Sequence, residues 1–147
     1  MKITLEENVD IREVEVLIRY NERTYEIDRL IDRVKDLDKK IIAYGSRKED
    51  IYVIDIKSIF YIESIDNNTF IYLETMVLQT KQRLYELEKV LGDICFFRCN
   101  KSTILNICKI QKLNSHINRT IIATLENREK VYISRLYVKR LKEILGG

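Results

Sequence analysis

The stretch FFRCNKS, residues 96–102, sets two adjacent aromatic side chains before five mostly polar residues that carry two positive charges. The apolar segment 103–107 follows at once and is typical of a strand. Firm anchors on both sides of a short basic segment predict a loop that is held rigidly and points outward, where binding residues often lie. The segment has no glycine-rich phosphate cradle, paired carboxylates or histidine, so it is suited to contact an anion and not to transform a substrate.

The bulk composition describes a globular protein of one domain. A chain of 147 residues can bury a real core, and its 46% apolar and 33% charged residues are ordinary proportions. No apolar run approaches the roughly 18 residues of a membrane span, so we expect no membrane insertion. The acidic N-terminus lacks the apolar core of a signal peptide, which favours a cytoplasmic location.

The three cysteines, Cys95, Cys99 and Cys108, are an odd number without a secretory signature, so free thiols are expected. Their spacing matches no usual zinc pattern, and His116 is the only histidine. We therefore expect no metal and no cofactor. His116 falls in a predicted loop with no acidic residue nearby in sequence, and no phosphate-binding loop, nucleophile elbow or dinucleotide fingerprint occurs. We expect no enzymatic activity.

Positive charge is concentrated in the last third of the chain. Residues 1–40 hold 9 Lys/Arg and 11 Asp/Glu, residues 41–95 hold 6 and 9, and residues 96–147 hold 11 and 3. The last block therefore has a charge of +8 in a chain whose net charge is only +3. Such a block indicates either a polyanion-binding surface or simply a solvated basic surface.

The N-terminal unit, residues 1–39, is predicted to be a strand and a helix. Polar and apolar residues alternate in 13–20, and from Asn21 the apolar residues fall at helical spacing. The unit is too small to fold alone. It serves either as a cap on the main domain or as an element for dimerisation or partner docking.

Residues 40–147 are predicted to form a mostly β domain of the α+β class. Short segments rich in Ile, Val and Tyr, separated by turn residues, predict antiparallel strands at 40–44, 50–54, 58–65, 69–74, 76–80, 104–107, 110–113, 120–125 and 130–133. An inserted helix is predicted after Thr80 as its N-cap and ends at Gly92. A final helix is predicted after Ser134 as its N-cap, with Gly146 just past its end.

The basic residues of the last third fall in predicted loops and at the ends of elements. They are Arg98, Lys101, Lys112, Arg119 and Arg135. A helix-turn-helix protein would concentrate them on one recognition helix. Their placement favours loops that enter a groove.

Arg135 is predicted to lie in the first turn of the final helix, where the helix dipole disfavours a cation by roughly 0.3–1 kcal/mol. An outside anion would explain a cation at that position, and arginine can bind guanine through two hydrogen bonds. The alternative is a surface arginine that pairs with a nearby carboxylate.

Several of these motifs, in this order, resemble the signature of the LytTR-type DNA-binding domain. They are Tyr61-Ile62-Glu63-Ser64, Phe96-Phe97-Arg98 with Ser102, Asn106, and Ile133-Ser134-Arg135. The resemblance covers about residues 40 to 145. It implies small stacked antiparallel sheets in a β-β-β arrangement, with loops that enter successive major grooves.

The resemblance also implies which residues contact DNA. Base contacts would come from Asn68 and Thr69, from Asn100 and Lys101, and from Arg135. Contacts to the DNA backbone would come from Arg98, Ser102 and Arg119.

The sequence thus predicts a bacterial transcription regulator that binds a specific double-stranded DNA site as a homodimer. LytTR domains often follow a phospho-receiver domain, and the first 39 residues are too few to form one. Control would then come through abundance, dimerisation or a regulatory partner protein. Two alternatives stay open: a protein-interaction module that docks a partner through residues 1–39, and, less favoured, RNA binding.

Overall fold

The computed structural model describes residues 1–146. Its three α-helices are α1 (Tyr25–Asp36), α2 (Leu84–Leu91) and α3 (Arg135–Ile144). Its ten strands are β1 (Lys40–Tyr44), β2 (Ile51–Asp55), β3 (Tyr61–Ile65), β4 (Asn68–Tyr72), β5 (Val77–Thr80), β6 (Phe96–Asn100), β7 (Thr103–Asn106), β8 (Ile110–Ser115), β9 (Ile121–Leu125) and β10 (Lys130–Ile133).

The strands form two antiparallel sheets. The larger sheet has seven strands in the order β2-β1-β5-β4-β3-β7-β6, and the smaller has three in the order β10-β9-β8. Neighbouring strands are mostly joined by short turns, because antiparallel partners need no crossover connection. The predicted α+β class, with short antiparallel strands, an inserted helix and a C-terminal helix, is confirmed.

Strand β6 separates two hydrophobic cores. Because side chains alternate along a strand, Phe96 faces a core that α2 covers, whereas Phe97 faces a core that α3 and the smaller sheet cover. Both rings are buried, at 4% and 6% exposure. The aromatic pair therefore anchors the basic segment, as the sequence predicts.

Three local predictions were wrong. Residues 13–20 form no strand, since Val14 and Val16 are exposed and their backbone has no partner strand. Helix α2 begins after Arg83, because Thr80 still belongs to β5, where it pairs with Thr69. The basic segment 96–102 is a strand as far as Asn100, so only residues 101 and 102 form the turn.

Helix α1 matches the predicted helix closely, and Thr24 Oγ1 accepts a hydrogen bond from the backbone N–H of Ile27 at 3.4 Å. It buries no residue fully, however, and its apolar stripe of Ile27, Leu30, Ile31 and Val34 stays half-buried. The apolar side chains before it are exposed, among them Leu17 at 75%. Within residues 1–146, none of the helices has the length and apolar character needed to cross a membrane.

Candidate nucleic-acid interface

Three connections meet at one end of the larger sheet. The β3–β4 turn and the β6–β7 turn lie there because β3 pairs with β7, with Glu63 opposite Thr103. The backbone N–H of Ser64 also donates to the carbonyl of Ser102 at 2.8 Å. The start of α3 joins them through the N–H of Ser134, which donates to the carbonyl of Cys99 at 2.9 Å. Main-chain hydrogen bonds thus bring together connections that are distant in sequence.

The β3–β4 turn presents Asn68 and hides Thr69. Asp66 and Asn67 both have positive φ, at 50° and 64°, as a two-residue type I′ hairpin turn requires. Asn68 is exposed, and its Oδ1 accepts a hydrogen bond from Gln79 Nε2 at 3.1 Å. Thr69 is only 3% exposed, opposite Thr80. The side chains of Asn68 and Thr69 lie on opposite faces of the strand, and a base contact by Thr69 stays a prediction.

Asn100 holds the β6–β7 turn in place. Its Oδ1 accepts hydrogen bonds from the backbone N–H and the hydroxyl of Ser102, at 2.9 and 3.1 Å. Its Nδ2 donates to the carbonyl of Tyr132 at 2.9 Å, which ties the turn to the smaller sheet. Both ends of the amide are thus engaged within the protein, so Asn100 and Ser102 position the turn. Their contacts to DNA stay a prediction.

Arg98 wraps around the same turn. Its Nε donates to the carbonyl of Asn100 at 3.2 Å and its Nη2 to the carbonyl of Lys101 at 2.9 Å. Its Nη1 pairs with the carboxylate of Glu88 on α2. These partners occupy the planar fork of the guanidinium. Arg98 therefore stabilises the turn, and its contact to a DNA phosphate stays a prediction.

Lys101 is left at the tip of the turn. Its side chain is exposed and forms no hydrogen bond or ion pair with residues 1–146. Since Arg98, Asn100 and Ser102 fix the backbone around it, the ammonium is presented from a rigid base. This is the outward-pointing cation that the sequence predicts.

Arg135 is the first residue of α3, and nothing within the described chain compensates its charge. The first turn of α3 has no acidic residue, and the Ser134 side chain makes no capping hydrogen bond. Arg135 is exposed and pairs with no carboxylate among residues 1–146. The alternative of a surface arginine paired with a carboxylate therefore does not apply to the described chain.

Arg135 and Arg119 line the same open groove between α3 and the smaller sheet. The other polar lining includes Ser115, His116, Thr120, Lys139 and Lys142, and no acidic residue. Arg119 and its neighbour Asn118 have φ of 60° and 56°, a conformation that costs a non-glycine residue about 1 kcal/mol or more. Strain of this kind often accompanies a binding role.

Sequence reasoning missed Lys139 and Lys142. Together with Arg135 they are spaced by four and three positions, which places all three on one face of α3. The helical spacing of these three cations in the sequence is the signal that indicates them. The groove gathers four arginine and lysine side chains, so it is suited to bind a chain of phosphates.

A partly buried polar contact connects the two sheets. The hydroxyl of Tyr61 on β3 donates to the Glu129 carboxylate before β10 at 2.6 Å, and the Tyr61 ring stacks on that of Tyr72 at 4.1 Å. Burial, followed by this hydrogen bond, raises the pKa of Tyr61. Both sheets therefore present their cations in one constant arrangement.

Within residues 1–146, no three His, Cys, Asp or Glu side chains come together as metal ligands. His116 lies in the predicted loop and packs edge-on against the Tyr132 ring, with 5.5 Å between ring centroids.

The antiparallel sheets, the hydrogen-bonded turns and the basic groove define a small β-rich domain with one strongly basic face. The family model of the LytTr DNA-binding domain matches residues 49–146, and the chain belongs to this family. A LytTr DNA-binding domain of a Bacillus cereus protein has a similar fold, with a TM-score of 0.69 over 75% of this chain and 99% of that one. Its identity is 23%, so this likeness concerns the fold alone.

Two relatives from Staphylococcus aureus extend over the N-terminal unit as well. An uncharacterized HTH-type transcriptional regulator of strain NCTC 8325 is 32% identical over 99% of both chains. One from strain MRSA252, with the same description, is 31% identical over the same shares. In residues 1–146 of the present chain, strands separate the helices from one another, so the cations are not carried by a helix-turn-helix.

Proposed function

We propose that this protein is a transcription regulator that binds a specific double-stranded DNA site with Lys101, Arg135 and Asn68 in the major groove. Three connections at one end of a rigid sheet can follow one face of a duplex without a recognition helix. The lysine and the arginine suit the acceptor edge of guanine, and the asparagine suits adenine. The relatives are described as transcriptional regulators, which supports a regulatory role for the DNA binding proposed here.

The single observation that carries the proposal is the uncompensated charge of Arg135. A cation at the first position of a helix opposes the dipole, and the described chain offers neither a carboxylate nor a cap to offset it. A guanine edge or a phosphate would supply the missing partner. Lys101 lies at the neighbouring turn, which the hydrogen bond between Ser134 and Cys99 brings close.

Backbone contacts are assigned to the basic groove. Arg119, Lys139 and Lys142 line it beside Arg135. Each phosphate that such a cation neutralises releases a counterion, so affinity depends strongly on salt but not on base sequence. The groove therefore supplies affinity and register, while Lys101, Arg135 and Asn68 supply specificity.

The test compares Arg135→Ala with Arg119→Ala on a preferred DNA site, selected from a random pool, and on unrelated DNA. Arg135→Ala should weaken binding to the preferred site by about 1–3 kcal/mol and binding to unrelated DNA far less. Arg119→Ala should weaken both alike and lower the slope of log affinity against log salt by roughly one unit. Fluorescence anisotropy across salt concentrations measures all four affinities.

Lys130→Ala is the matched control, because Lys130 is an exposed lysine at the opposite end of β10. It removes the same charge far from the proposed interface, so both affinities should change little. Equal losses on both DNAs for Arg135→Ala would remove it from base reading. No selected site at any salt concentration would overturn the regulator proposal itself.

A second candidate function, partner docking or dimerisation through residues 1–39, is favoured by the half-buried apolar stripe of α1. Leaving Ile31 and its stripe neighbours partly in water costs free energy that a partner surface would recover. A homodimer on DNA would use this surface in both copies. The stripe does not depend on the charged end of the sheet, so the two functions are compatible.

Ile31→Asp tests the second function, with Asp32→Asn on the exposed face of α1 as the control. If α1 mediates dimerisation, Ile31→Asp should turn a sedimenting dimer into a monomer and leave binding to a single half-site intact. Asp32→Asn should change neither property. A variant that remains dimeric would exclude α1 as the dimer interface.

A further inference from the structure

Two of the three free thiols lie against each other at the base of the β6–β7 hairpin. Cys95 directly precedes β6, and Cys108 lies in the short 3-10 turn that follows β7. Their sulfur atoms are 2.7 Å apart, little further than the about 2.05 Å of a disulfide bond. The pair lies away from the proposed DNA contacts, at the opposite end of the hairpin from Lys101.

Hydrogen bonds of the surrounding residues keep the two sulfur atoms close to each other. The backbone N–H of Ile107 donates to the carbonyl of Cys95 at 2.7 Å, and that of Cys108 donates to Asn106 Oδ1 at 2.9 Å. Asn106 is itself buried, and its Nδ2 donates to the carbonyl of Ile59 at 2.8 Å. The two sulfurs are therefore brought together by the core of the domain and not by a mobile loop.

The two thiols have different surroundings. Cys108 is exposed, whereas Cys95 is partly buried against the α2-covered core. The close contact with the Cys95 sulfur and the positive charges of Arg33 and Lys109 lower the pKa of Cys108 to about 6, against burial and the opposing charge of Glu126. The same contact, followed by burial, raises the pKa of Cys95. Exposure and the neighbouring cations thus favour the thiolate on Cys108, whereas Cys95 is the more buried thiol in contact with it.

We propose that Cys95 and Cys108 are a reversible dithiol–disulfide pair that peroxides oxidise, with Cys108 as the attacking thiol and Cys95 as the resolving thiol. The Cys108 thiolate attacks one peroxide oxygen, the O–O bond breaks, and the released hydroxide takes a proton to leave as water. The sulfur of Cys95 then attacks the Cys108 sulfenic acid. The Cys95 proton and the sulfenic hydroxyl leave as a second water, and the S–S bond forms. The peroxide accepts the two electrons that the thiols lose.

Cys99 takes no part in this chemistry. It is fully buried in the core beneath α3, and burial raises its pKa to about 12. It therefore provides an internal control within the same chain. The inference does not depend on DNA binding, so either proposal can fail while the other stands.

The experiment treats the reduced full-length protein with a small excess of hydrogen peroxide. The number of thiols that react with a disulfide reagent after unfolding should fall from three to one. Peptide mapping should show a Cys95–Cys108 linkage that dithiothreitol reverses. The linkage closes the hairpin, so the oxidised chain should melt about 5–10 °C higher than the reduced chain.

Three variants separate the roles of the thiols. Cys95→Ser should accumulate a sulfenic acid on Cys108 that dimedone traps, because no resolving thiol remains. Cys108→Ser should be slow to react with peroxide at neutral pH. Cys99→Ala, the matched control, should form the same linkage as the parent chain even if its core is less stable.

Several results would overturn the proposal. They are a linkage that involves Cys99, a disulfide between two chains through Cys108 in place of the internal one, and over-oxidation of Cys108 with Cys95 still reduced.

The rate at which iodoacetamide alkylates Cys108 is an independent measurement, because only the thiolate form of the cysteine reacts. This rate should stay high at pH 7 and fall as the pH drops through about 6. A rate that rises only near the ordinary thiol value of 9.0 would exclude Cys108 as the attacking group.

Discussion

The N-terminal unit and the charged end of the larger sheet both present side chains that residues 1–146 leave without partners, yet they are built in opposite ways. In residues 1–39 the unpartnered groups are apolar: Leu17 is 75% exposed, and α1 buries no residue fully. At the end of the sheet they are cationic, and Lys101 and Arg135 project from a backbone that hydrogen bonds hold in place.

The difference concerns what water can do for each region. Water solvates a cation well in the unbound protein, so exposing Lys101 and Arg135 costs little. A rigid backbone is then sufficient to present them for binding. Exposed apolar side chains gain nothing from water and contribute to stability only when something covers them. The charged end is therefore stable without a partner, whereas a partner that covers the apolar side chains of the N-terminal unit would stabilise that unit.

The largest effect should come from the core beneath the charged end. Leu105→Ala removes a side chain with 0% exposure on β7. The free energy of unfolding should fall by about 2–5 kcal/mol, because the cavity adds to the lost burial. Urea denaturation followed by circular dichroism measures it. A loss smaller than about 1 kcal/mol would mean that this region relaxes around the cavity, contrary to the rigid scaffold described here.

The second largest effect on stability should come from Asn100, whose side chain connects the two sheets. Asn100→Ala removes the hydrogen bonds to Ser102 and to the carbonyl of Tyr132. Stability should fall by about 1 kcal/mol, since the partners are partly exposed and the hydrogen bonds are lost without leaving a buried polar group unpaired. Hydrogen exchange at the amide of Ser102 should accelerate as well. Asn68→Ala is the control: Asn68 is exposed, and its loss should change stability by less than about 0.5 kcal/mol.

A smaller and more local effect is expected in α1. Thr24→Ala removes the side-chain cap that accepts from the N–H of Ile27, which costs about 1 kcal/mol of helix stability. Hydrogen exchange within α1 should accelerate while the urea midpoint of the whole chain stays unchanged. If the midpoint fell by a matching amount, α1 would belong to the same cooperative unit as the sheets, and the contrast between the regions would weaken.

The smallest effect should come from the exposed N-terminal segment. Leu17→Ser, measured on the monomer at low concentration, should change the free energy of unfolding by less than about 0.5 kcal/mol, because this side chain has no core to leave. At high concentration the same substitution should weaken self-association if the segment is covered in a dimer. A clear loss of stability in the monomer would show that the segment packs on the domain.

Much of the fold followed from the sequence because the domain core obeys simple periodicities. The strands near residues 40–133 and all three helices were predicted from alternation and helical spacing. The failure at residues 13–20 has a physical cause: alternation shows that a segment can form a strand, but a strand exists only when a partner offers its hydrogen bonds. Nothing in the local sequence reports whether such a partner is present.

The candidate site was only partly readable from sequence, for a similar reason. Lys101, Arg119 and Arg135 are exposed cations, as expected, whereas Arg98 and Asn100 have polar side chains that the fold uses internally. A polar residue next to a turn looks the same in sequence whether it stabilises the turn or leaves it free. Only the three-dimensional hydrogen bonds separate the two roles.

The ties at the charged end have a consequence for how such a protein can change during evolution. The bonds from Ser64 to Ser102 and from Ser134 to Cys99 use main-chain atoms, which nearly every amino acid supplies. Under the proposed reading of DNA, the residues at positions 68, 101 and 135 can therefore be exchanged without loosening the frame that presents them. A duplicated copy of the gene could acquire a new target site through a few substitutions and retain its fold.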